Sequence, residues 1–545
     1  MHPYIKFQEF LKLPERKSLL ALLLLWGCLI ALVVLGHDGW RIGQMLWLAM
    51  PGVLWYSWPV RSLSWHRMRT IALTAWAVIF VADAMTRAYL LQAYGAAPDS
   101  ALVLGAVANS NPREQAEYFS SNWRSIGLWS MTLILFSVVA WKLADQGRRS
   151  KGVRPKWTTI AICGLLIIGG IAYASKPWRR LHPVVFWTHW ITSAGELRAG
   201  WNDQQKMRDD ALARAVATAP IITATKPSTV VWVISDSVNR DNMSLYGYGR
   251  ATTPALQAQK DQVGNQMVVL RNAWSTEAST LPALRSMFNF GVPDQEGSQH
   301  VLAMARAAGY KIWWMSNHDD IAVEQQHARF ANVVEMVNRT PGRSGTSLDG
   351  ELLDHLKIAL EDPTERKLIV VHLLGAHPHY SLRFPAQSNP FDKATDNVER
   401  QLIESGKSSW IRQSRKEYDG AIRYHDTVVA QTLQLTRTIP SSTEDRAWMY
   451  LSDHGQEVGH VSNRAGHSPM TESGYRIPAL VWRNRQQDIK IGLDERPFRS
   501  DWVGWTMVDL LKIDWDGRSE ARNVLDPSYV WQPPTLQFPI KSFFK

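Results

Sequence analysis

Before residue 176 the chain holds five apolar stretches, and beyond it the long apolar runs stop. They are Leu19–Leu35, Ile42–Val60, Ile71–Ala93, Ile126–Ala144 and Trp157–Ala174. Each is near the length that crosses about 30 Å of hydrocarbon. Hydrocarbon offers no water to satisfy a backbone N–H or C=O, so such a stretch is held to a helix. The first is short enough to be the core of a signal peptide. No small-residue cleavage site follows it and further spans do, so it reads as an uncleaved helix. The expectation is an α-helical membrane domain of five transmembrane helices over residues 1–175.

Basic residues orient that domain. Lys6, Lys12, Arg16 and Lys17 precede the first stretch; Arg61, Arg67 and Arg69 follow the second; Lys142, Arg148, Arg149, Lys151, Arg154 and Lys156 follow the fourth. If all five stretches span, these clusters share one side, the cytoplasmic one, and everything after Ala174 lies outside the cytoplasm. Trp40, Trp55, Trp58, Trp65 and Trp157 fall near the expected interfaces, where indole rings are favoured. Asp83 and Arg87 interrupt the third stretch one helical turn apart and read as an ion pair. The loop Tyr94–Asn122 is long and polar, suited to amphipathic pieces at a bilayer surface. The net charge of +11 lies largely beside the apolar runs, which favours anionic lipid over nucleic acid as a partner. Both cysteines, Cys28 and Cys163, sit inside apolar runs, so the remainder has neither disulfides nor a thiolate metal site.

Residues 176–225 read as a juxtamembrane connector, and 226–545 as a soluble domain. There β-rich runs alternate with segments long enough for helices: 229–235, 267–271, 310–315, 367–374, 447–452 and 477–482. Runs this apolar suit strands buried on both faces, which predicts an α/β domain with a central, mostly parallel sheet. Sites in such sheets form at the carboxyl ends of strands. Four of the six runs end in carboxylate, imidazole or amide groups. They lead to Asp236, to Asn317-His318-Asp319, to His377 and His379, and to Asp453-His454-Gly455 with His460 and His467 beyond.

Carboxylate and imidazole without thiolate suit zinc or manganese. Asp453 and His454 can share one metal if the chain turns there, which Gly455 permits. A divalent ion lowers the pKa of a hydroxyl and stabilises charge on a phosphoryl oxygen. A hydroxyl nucleophile is then required, and "TEASTLPALRSMF", Thr276 to Phe288, offers two threonines and two serines at a helix start. Simpler roles exist for several of these residues. His372 lies inside an apolar strand and suits a packed core position; His318 and His425 suit the surface; Ser279 or Thr280 suits an N-cap, with Pro282 in the first turn. Capping and catalysis are compatible, since a helix N-terminus favours phosphate.

In order and spacing, "VVWVISDSVNRDNMSLYGYGRATTP", "WSTEASTLPALRSMF", "GYKIWWMSN", "IVVHLLGAHPHY" and "LSDHGQEVG…GHSP" resemble the bacterial phosphoethanolamine transferases. The resemblance covers nearly the whole chain and is most specific in "MSLYGYGRATTP" and "SDHG". It implies a multi-pass bacterial inner-membrane protein with a periplasmic catalytic domain of the alkaline phosphatase/sulfatase-like fold. It is nearest the branch that acts on lipopolysaccharide core sugars, with the periplasmic-glucan branch next. The disulfide-rich lipid A branch fits less well. The resemblance implies a zinc ion, with manganese the second choice, held by Asp236, Thr280, Asp453 and His454. The family more often has Glu at the first of these, so Asp236 is one methylene short. Thr280 falls at the family's nucleophile position, ahead of Thr276 and Ser279. His377 and His467 match positions that line the substrate phosphate, act in catalysis or hold a second metal. Asn317 matches a polar residue near the phosphoethanolamine group.

The implied reaction moves phosphoethanolamine from phosphatidylethanolamine to an envelope glycan through phospho-Thr280, with His377 or His467 moving protons. A sulfatase needs a cysteine or serine followed by x-Pro-x-Arg, whereas "TLPALR" has threonine there and an extra residue before Arg285. The alternatives are transfer to periplasmic glucan or another polysaccharide, a glycerol-phosphate transferase, and a membrane-anchored binding or scaffold protein.

Overall fold

Helices alone make up the first of two units, and a large sheet organises the second. The computed structural model describes residues 13–37, 39–56, 62–146, 156–202, 204–291, 298–337, 347–438, 444–484, 492–540 and 542–543. One unit comprises Met1–Ala108 and Arg113–Glu196, the other Asn109–Pro112 and Leu197–Lys545.

The helices of the first part of the chain are α1 (Leu13–Gly36), α2 (Trp40–Tyr56), α3 (Leu63–Tyr94), α4 (Ala101–Asn109), α5 (Pro112–Gln146) and α6 (Lys156–Ala174). Every apolar stretch of the sequence falls on one of α1, α2, α3, α5 and α6, although the end of the second stretch lies outside the described residues. Among the described residues only Leu63–Tyr94 and Pro112–Asp145 are long and apolar enough to cross a membrane; Trp26–Gly36 and Cys163–Ala174 are shorter apolar helices. Lys6, Lys12, Trp58, Arg61, Arg148, Arg149, Lys151 and Arg154, which bear on orientation, lie outside the described residues.

Small residues let these helices approach, as apolar helices in lipid require. A Cβ at Gly36 would meet the Ala84 carbonyl oxygen at 2.8 Å, and one at Gly169 would meet Pro51 at 2.9 Å. Leu29, Val33, Met45, Leu48, Phe80 and Val81 fill the space between. Leu128, Met131, Ile134 and Leu135 on α5 stay exposed, as a lipid-facing side would. The loop expected at Tyr94–Asn122 is mostly helical, because α4 occupies part of it and α5 begins at Pro112. Arg87 donates to Asp83 at 2.9 Å, and Trp187 donates to the same carboxylate oxygen at 2.8 Å. Buried charges this well paired avoid the penalty of a lone ion. Residues 176–225 are also largely helical, with α7 (Pro183–Asn202) and α8 (Gln205–Ala217).

The second unit is built on seven strands: β1 (Ser228–Ser235), β2 (Met267–Val269), β3 (Lys311–Ser316), β4 (Val333–Met336), β5 (Arg366–Leu373), β6 (Asp445–Ser452) and β7 (Ala479–Arg483). Their order is β2-β7-β6-β1-β5-β3-β4. From β6 to β4 every pairing is parallel; β7 is antiparallel to both its neighbours, so the sheet is mixed. Alternate side chains of β1 enter two cores. Val230, Trp232 and Ile234 join one, with Leu284 and Met287; Val231 and Val233 join the other, with Tyr418 and Ile422. This double burial is why the strands are nearly continuous apolar runs. The six expected runs are all strands, and β4 is an additional edge strand.

One core holds two histidines outside any candidate site. His300 Nε2 and His327 Nδ1 lie 3.1 Å apart, and the rings stack on Phe330 and Phe288. Burial drives His327 down to about 3, with Arg285 adding to the effect, and drives His300 well below its usual value of 6.5. The folded state therefore binds fewer protons than the unfolded chain. The stability this provides is present above about pH 6.5 and is lost as pH falls toward the folded value. The melting temperature of the intact chain should fall between about pH 7 and about pH 5. The double variant His300→Phe/His327→Phe should melt with a shallower pH dependence over that interval.

Candidate active site

The parallel strands β1 and β6 run side by side, so their carboxyl ends deliver Asp236 and Asp453-His454 to one place. Asp453 N donates to the Ser235 carbonyl at 2.9 Å, which carries the register past the last ladder pair. Ser237, next in the chain, takes a left-handed φ of 62°. That is unusual for a side chain other than glycine and marks a held conformation. It lets Ser237 N donate to Asp453 Oδ1 at 3.1 Å while its hydroxyl donates to Asp236 Oδ1.

Thr280 opens the helix α9 (Thr280–Met287). Ser279 occupies the N-cap position with no capping bond from its side chain. The Thr280 hydroxyl donates to Asp236 Oδ2 at 2.9 Å and lies 3.4 Å from His454 Nε2. The first N–H groups of a helix lack acceptors within it, and Pro282 has no N–H to offer. The Thr280 and Leu281 amides, at the first two positions, are therefore without acceptors inside the helix. Thr276 is placed differently: its amide donates to Ser500 at 3.3 Å, and its buried hydroxyl has no hydrogen-bond partner among the described residues.

His454 Nδ1 lies 2.7 Å from the Gly455 carbonyl oxygen. A carbonyl can only accept, so Nδ1 carries the proton and Nε2 presents a lone pair. That nitrogen is 3.8 Å from Asp236 Oδ1 and 3.6 Å from Asp453 Oδ2. Asp453 Oδ2 is buried without a hydrogen-bond partner among the described residues. Four ligands about 2.0 Å from one ion stand about 3.3 Å from each other in a tetrahedron. The separations of 2.9, 3.4, 3.6 and 3.8 Å bracket that value. Donor chemistry, orphaned oxygen and spacing all fit a divalent cation such as zinc.

The electrostatics agree. Burial would raise Asp236, but His377, His454, His318 and His467 together hold it below the usual carboxylate range. Burial and the neighbouring Asp236 push Asp453 up, against the pull of His454. Two buried carboxylates this close resist ionising together unless a cation sits with them.

His467 is brought to the same point. A donor atom of its ring lies within 4.8 Å of those of Asp236 and His454, and its Nε2 has no hydrogen-bond partner among the described residues. Burial lowers His467 to about 3, and lowers His377 well below its ordinary value despite the opposing Asp236. His377 stands at one remove, its ring centre 6.4 Å from that of His467. Asn317 is not brought in with them. Its amide donates to Asp349 at 2.8 Å and to the Ser347 carbonyl at 3.3 Å, and its oxygen accepts from the Ser347 hydroxyl.

Other residues are placed otherwise than the sequence suggests. His318 is buried beside the site, 3.9 Å from Asp236 and stacked on His372. Burial opposes its charge, but Asp320 and then Asp236 raise it to about 10. His425 is also buried, against the Tyr450 hydroxyl at 3.1 Å. His372 is the packed core residue expected, with Ser316 at 3.1 Å. Gly455 has no left-handed φ; a Cβ there would meet the Ser473 carbonyl oxygen at 2.2 Å, so close approach and not a turn requires glycine. Buried Glu457 accepts from the Val461 and Ser462 amides and from the Ser473 hydroxyl, pinning the segment that carries His467.

Gly375, after β5, has a φ of 58°, and a Cβ there would meet the Asp236 carbonyl oxygen at 2.5 Å and its nitrogen at 2.9 Å. Gly375→Ala combines a left-handed φ, costing about 1 kcal/mol, with a clash against backbone. It should displace Asp236 and lower both melting temperature and bound metal. A variant with normal metal content would contradict this.

The Sulfatase family model matches residues 228–511, just over half of the chain. The chain belongs to the sulfatase family. This sulfatase-family chain is 27% identical over 498 residues to Phosphoethanolamine transferase EptC of Escherichia coli strain K12, covering 85% of the chain and 83% of that protein. The crystal structure of the C-terminal periplasmic domain of EptC from Escherichia coli in complex with Zn superposes with a TM-score of 0.51 at 28% identity. It covers 57% of this chain and 90% of that domain. The integral membrane lipooligosaccharide phosphoethanolamine transferase A from Neisseria meningitidis shares the fold over both units. Its TM-score is 0.55 at 18% identity, covering 93% of this chain and 97% of that one.

Proposed function

We propose that this protein transfers phosphoethanolamine from phosphatidylethanolamine to a glycan of the bacterial envelope, a lipopolysaccharide core sugar, through phospho-Thr280. One observation carries the reading: the Thr280 hydroxyl stands 2.9 Å from Asp236 and 3.4 Å from His454 at a helix N-terminus. The similarity to EptC, a named phosphoethanolamine transferase, supplies the group to be moved.

Asp236, Thr280, Asp453 and His454 would hold zinc, which would make the hydroxyl more acidic and offset charge on the phosphoryl oxygens. In the first step Thr280 Oγ1 gives up its proton and forms a bond to phosphorus, the bond from phosphorus to the diacylglycerol oxygen breaks, and that oxygen takes up a proton by way of His377 or His467. The Thr280 and Leu281 amides orient the phosphoryl group. In the second step a sugar hydroxyl bonds to phosphorus and Thr280 leaves. His467, held neutral by burial, accepts the sugar proton at a ring nitrogen and passes a proton to the departing Thr280 Oγ1. His377 lines the path beside it. Asn317 acts through Asp349, which accepts the Leu374 and Gly375 amides and so holds the loop against Asp236.

The two long apolar helices and the likeness to an integral membrane protein support an inner-membrane placement with the second unit in the periplasm; five spans is the reading that the five apolar stretches of the sequence give. The domain limits that go with it are 1–175, 176–225 and 226–545. The test uses the purified full-length chain, headgroup-labelled phosphatidylethanolamine vesicles and lipopolysaccharide. Release of diacylglycerol with label on a core sugar is expected. Label on glucan alone would move the acceptor, and diacylglycerol release from a glycerol-phosphate lipid alone would replace the reaction.

A further inference from the structure

A cavity of about 640 Å³ opens within the first unit, and none of the residues discussed above for chemistry lines it. Its lining includes Asp99, Leu104, Arg179, Arg180, Phe186 and Trp190. The size suits a small ligand, and the lining mixes charge of both signs with apolar wall.

Arg179 and Arg180 are exposed and have no carboxylate partner among the described residues. A tight turn fixes their backbone, with His182 N donating to the Arg179 carbonyl at 3.0 Å. Paired guanidinium groups in a fixed turn match phosphate oxygens. The opposite charge comes from Asp99, whose carboxylate is half-exposed and only loosely shared with Arg41 at 3.6 Å. Trp190 Nε1 donates to the Pro98 carbonyl at 2.7 Å, which pins the indole beside Asp99. A carboxylate next to an aromatic face suits an ammonium ion. Leu104 and Phe186 supply apolar wall, and Val184 and Ile191 of α7 remain exposed nearby. A free phosphate ion has no use for that wall, whereas the glycerol and upper chains of a lipid do.

We propose that this cavity seats the headgroup of an ethanolamine phospholipid, with its phosphate on Arg179 and Arg180 and its ammonium at Asp99 and Trp190. The choice of ethanolamine rests on the donor proposed above; the pairing of phosphate with ammonium rests on the cavity. The site holds a lipid on the first unit independently of the reacting threonine.

The test uses the full-length Thr280→Ala chain in detergent with a photoreactive phosphatidylethanolamine, the labelled peptides being mapped by mass spectrometry. Label is expected on the peptide that contains Arg179 to Trp190, competed by phosphatidylethanolamine vesicles and not by phosphatidylglycerol vesicles or inorganic phosphate. Arg179→Gln/Arg180→Gln should reduce labelling at least about tenfold. Asp99→Asn, which leaves the arginines in place, should let phosphatidylglycerol compete as well as phosphatidylethanolamine. Labelling unchanged in the double variant, or competition by inorganic phosphate, overturns the site. So does an Asp99→Asn chain that keeps its preference. Labelling is read without turnover, so a wild-type chain that labels as described yet transfers nothing would defeat the proposed reaction and leave this site standing.

Discussion

Thr280→Ala in the full-length chain is expected to lower phosphoethanolamine transfer by on the order of 10⁴-fold or more, with folding intact. The hydroxyl forms the covalent bond, so its loss removes the pathway and not merely one stabilising contact. A 10⁴-fold fall corresponds to about 5.5 kcal/mol of barrier. The structure limits collateral damage, because Thr280 is partly exposed and its hydroxyl contacts only the candidate metal ligands Asp236 and His454 among the described residues. Thr280→Ser keeps an oxygen at that place and loses a methyl that restricts χ1, so a fall of about 10- to 100-fold is expected. Thr276→Ala provides the control. Its hydroxyl faces neither carboxylate, and transfer should stay within a few-fold of wild type. A Thr276→Ala chain as inactive as Thr280→Ala would move the nucleophile.

Removal of zinc has a signature that does not depend on activity. Asp236 and Asp453 are both buried, and without a cation their charges oppose each other. Chelation of the wild-type chain should lower its melting temperature, and added zinc should restore it. Asp453→Asn reverses the first sign. It keeps an oxygen for the Ser237 and His454 amides and removes one of the two charges. Under chelation the variant should melt at or above the wild type. In zinc buffer the wild type should melt higher, because the variant has lost a ligand. Metal content should fall well below one ion per chain, and transfer by on the order of 10³-fold. A variant that binds a full ion and is stabilised by it as the wild type is would remove Asp453 from the ligand set.

Much of this architecture is legible in the sequence because burial on both faces leaves a plain signature. The runs at 229–235, 367–374 and 447–452 are mostly apolar with few polar interruptions, and they are three adjacent strands of the sheet. β4 is less legible: its four residues are all half-buried at the sheet edge, so no apolar run marks it. At the site, Asp236 and Asp453-His454 are readable because strand ends are fixed by strand pairing. The loops are not. His318 and His425 look like surface residues until packing buries them, and Asn317 points to Asp349 for reasons that lie in a distant segment. Ser237 gives no sequence sign of its left-handed backbone, since the Asp453 carboxylate that holds it is more than 200 residues away in sequence. The apolar helices show the opposite limit. Hydropathy locates all five, and among the described residues length and composition by themselves mark two of them as long enough to span.

A covalent bond from Thr280 to phosphorus is the central step of the proposed reaction. Its most direct test mixes the purified full-length chain with headgroup-labelled phosphatidylethanolamine in the absence of acceptor, quenches in acid, and maps the label by peptide mass spectrometry. Phosphoethanolamine on Thr280, lost when lipopolysaccharide is added, is the predicted result. An unlabelled chain that still transfers, or label on Thr276 or Ser279 in place of Thr280, would contradict it.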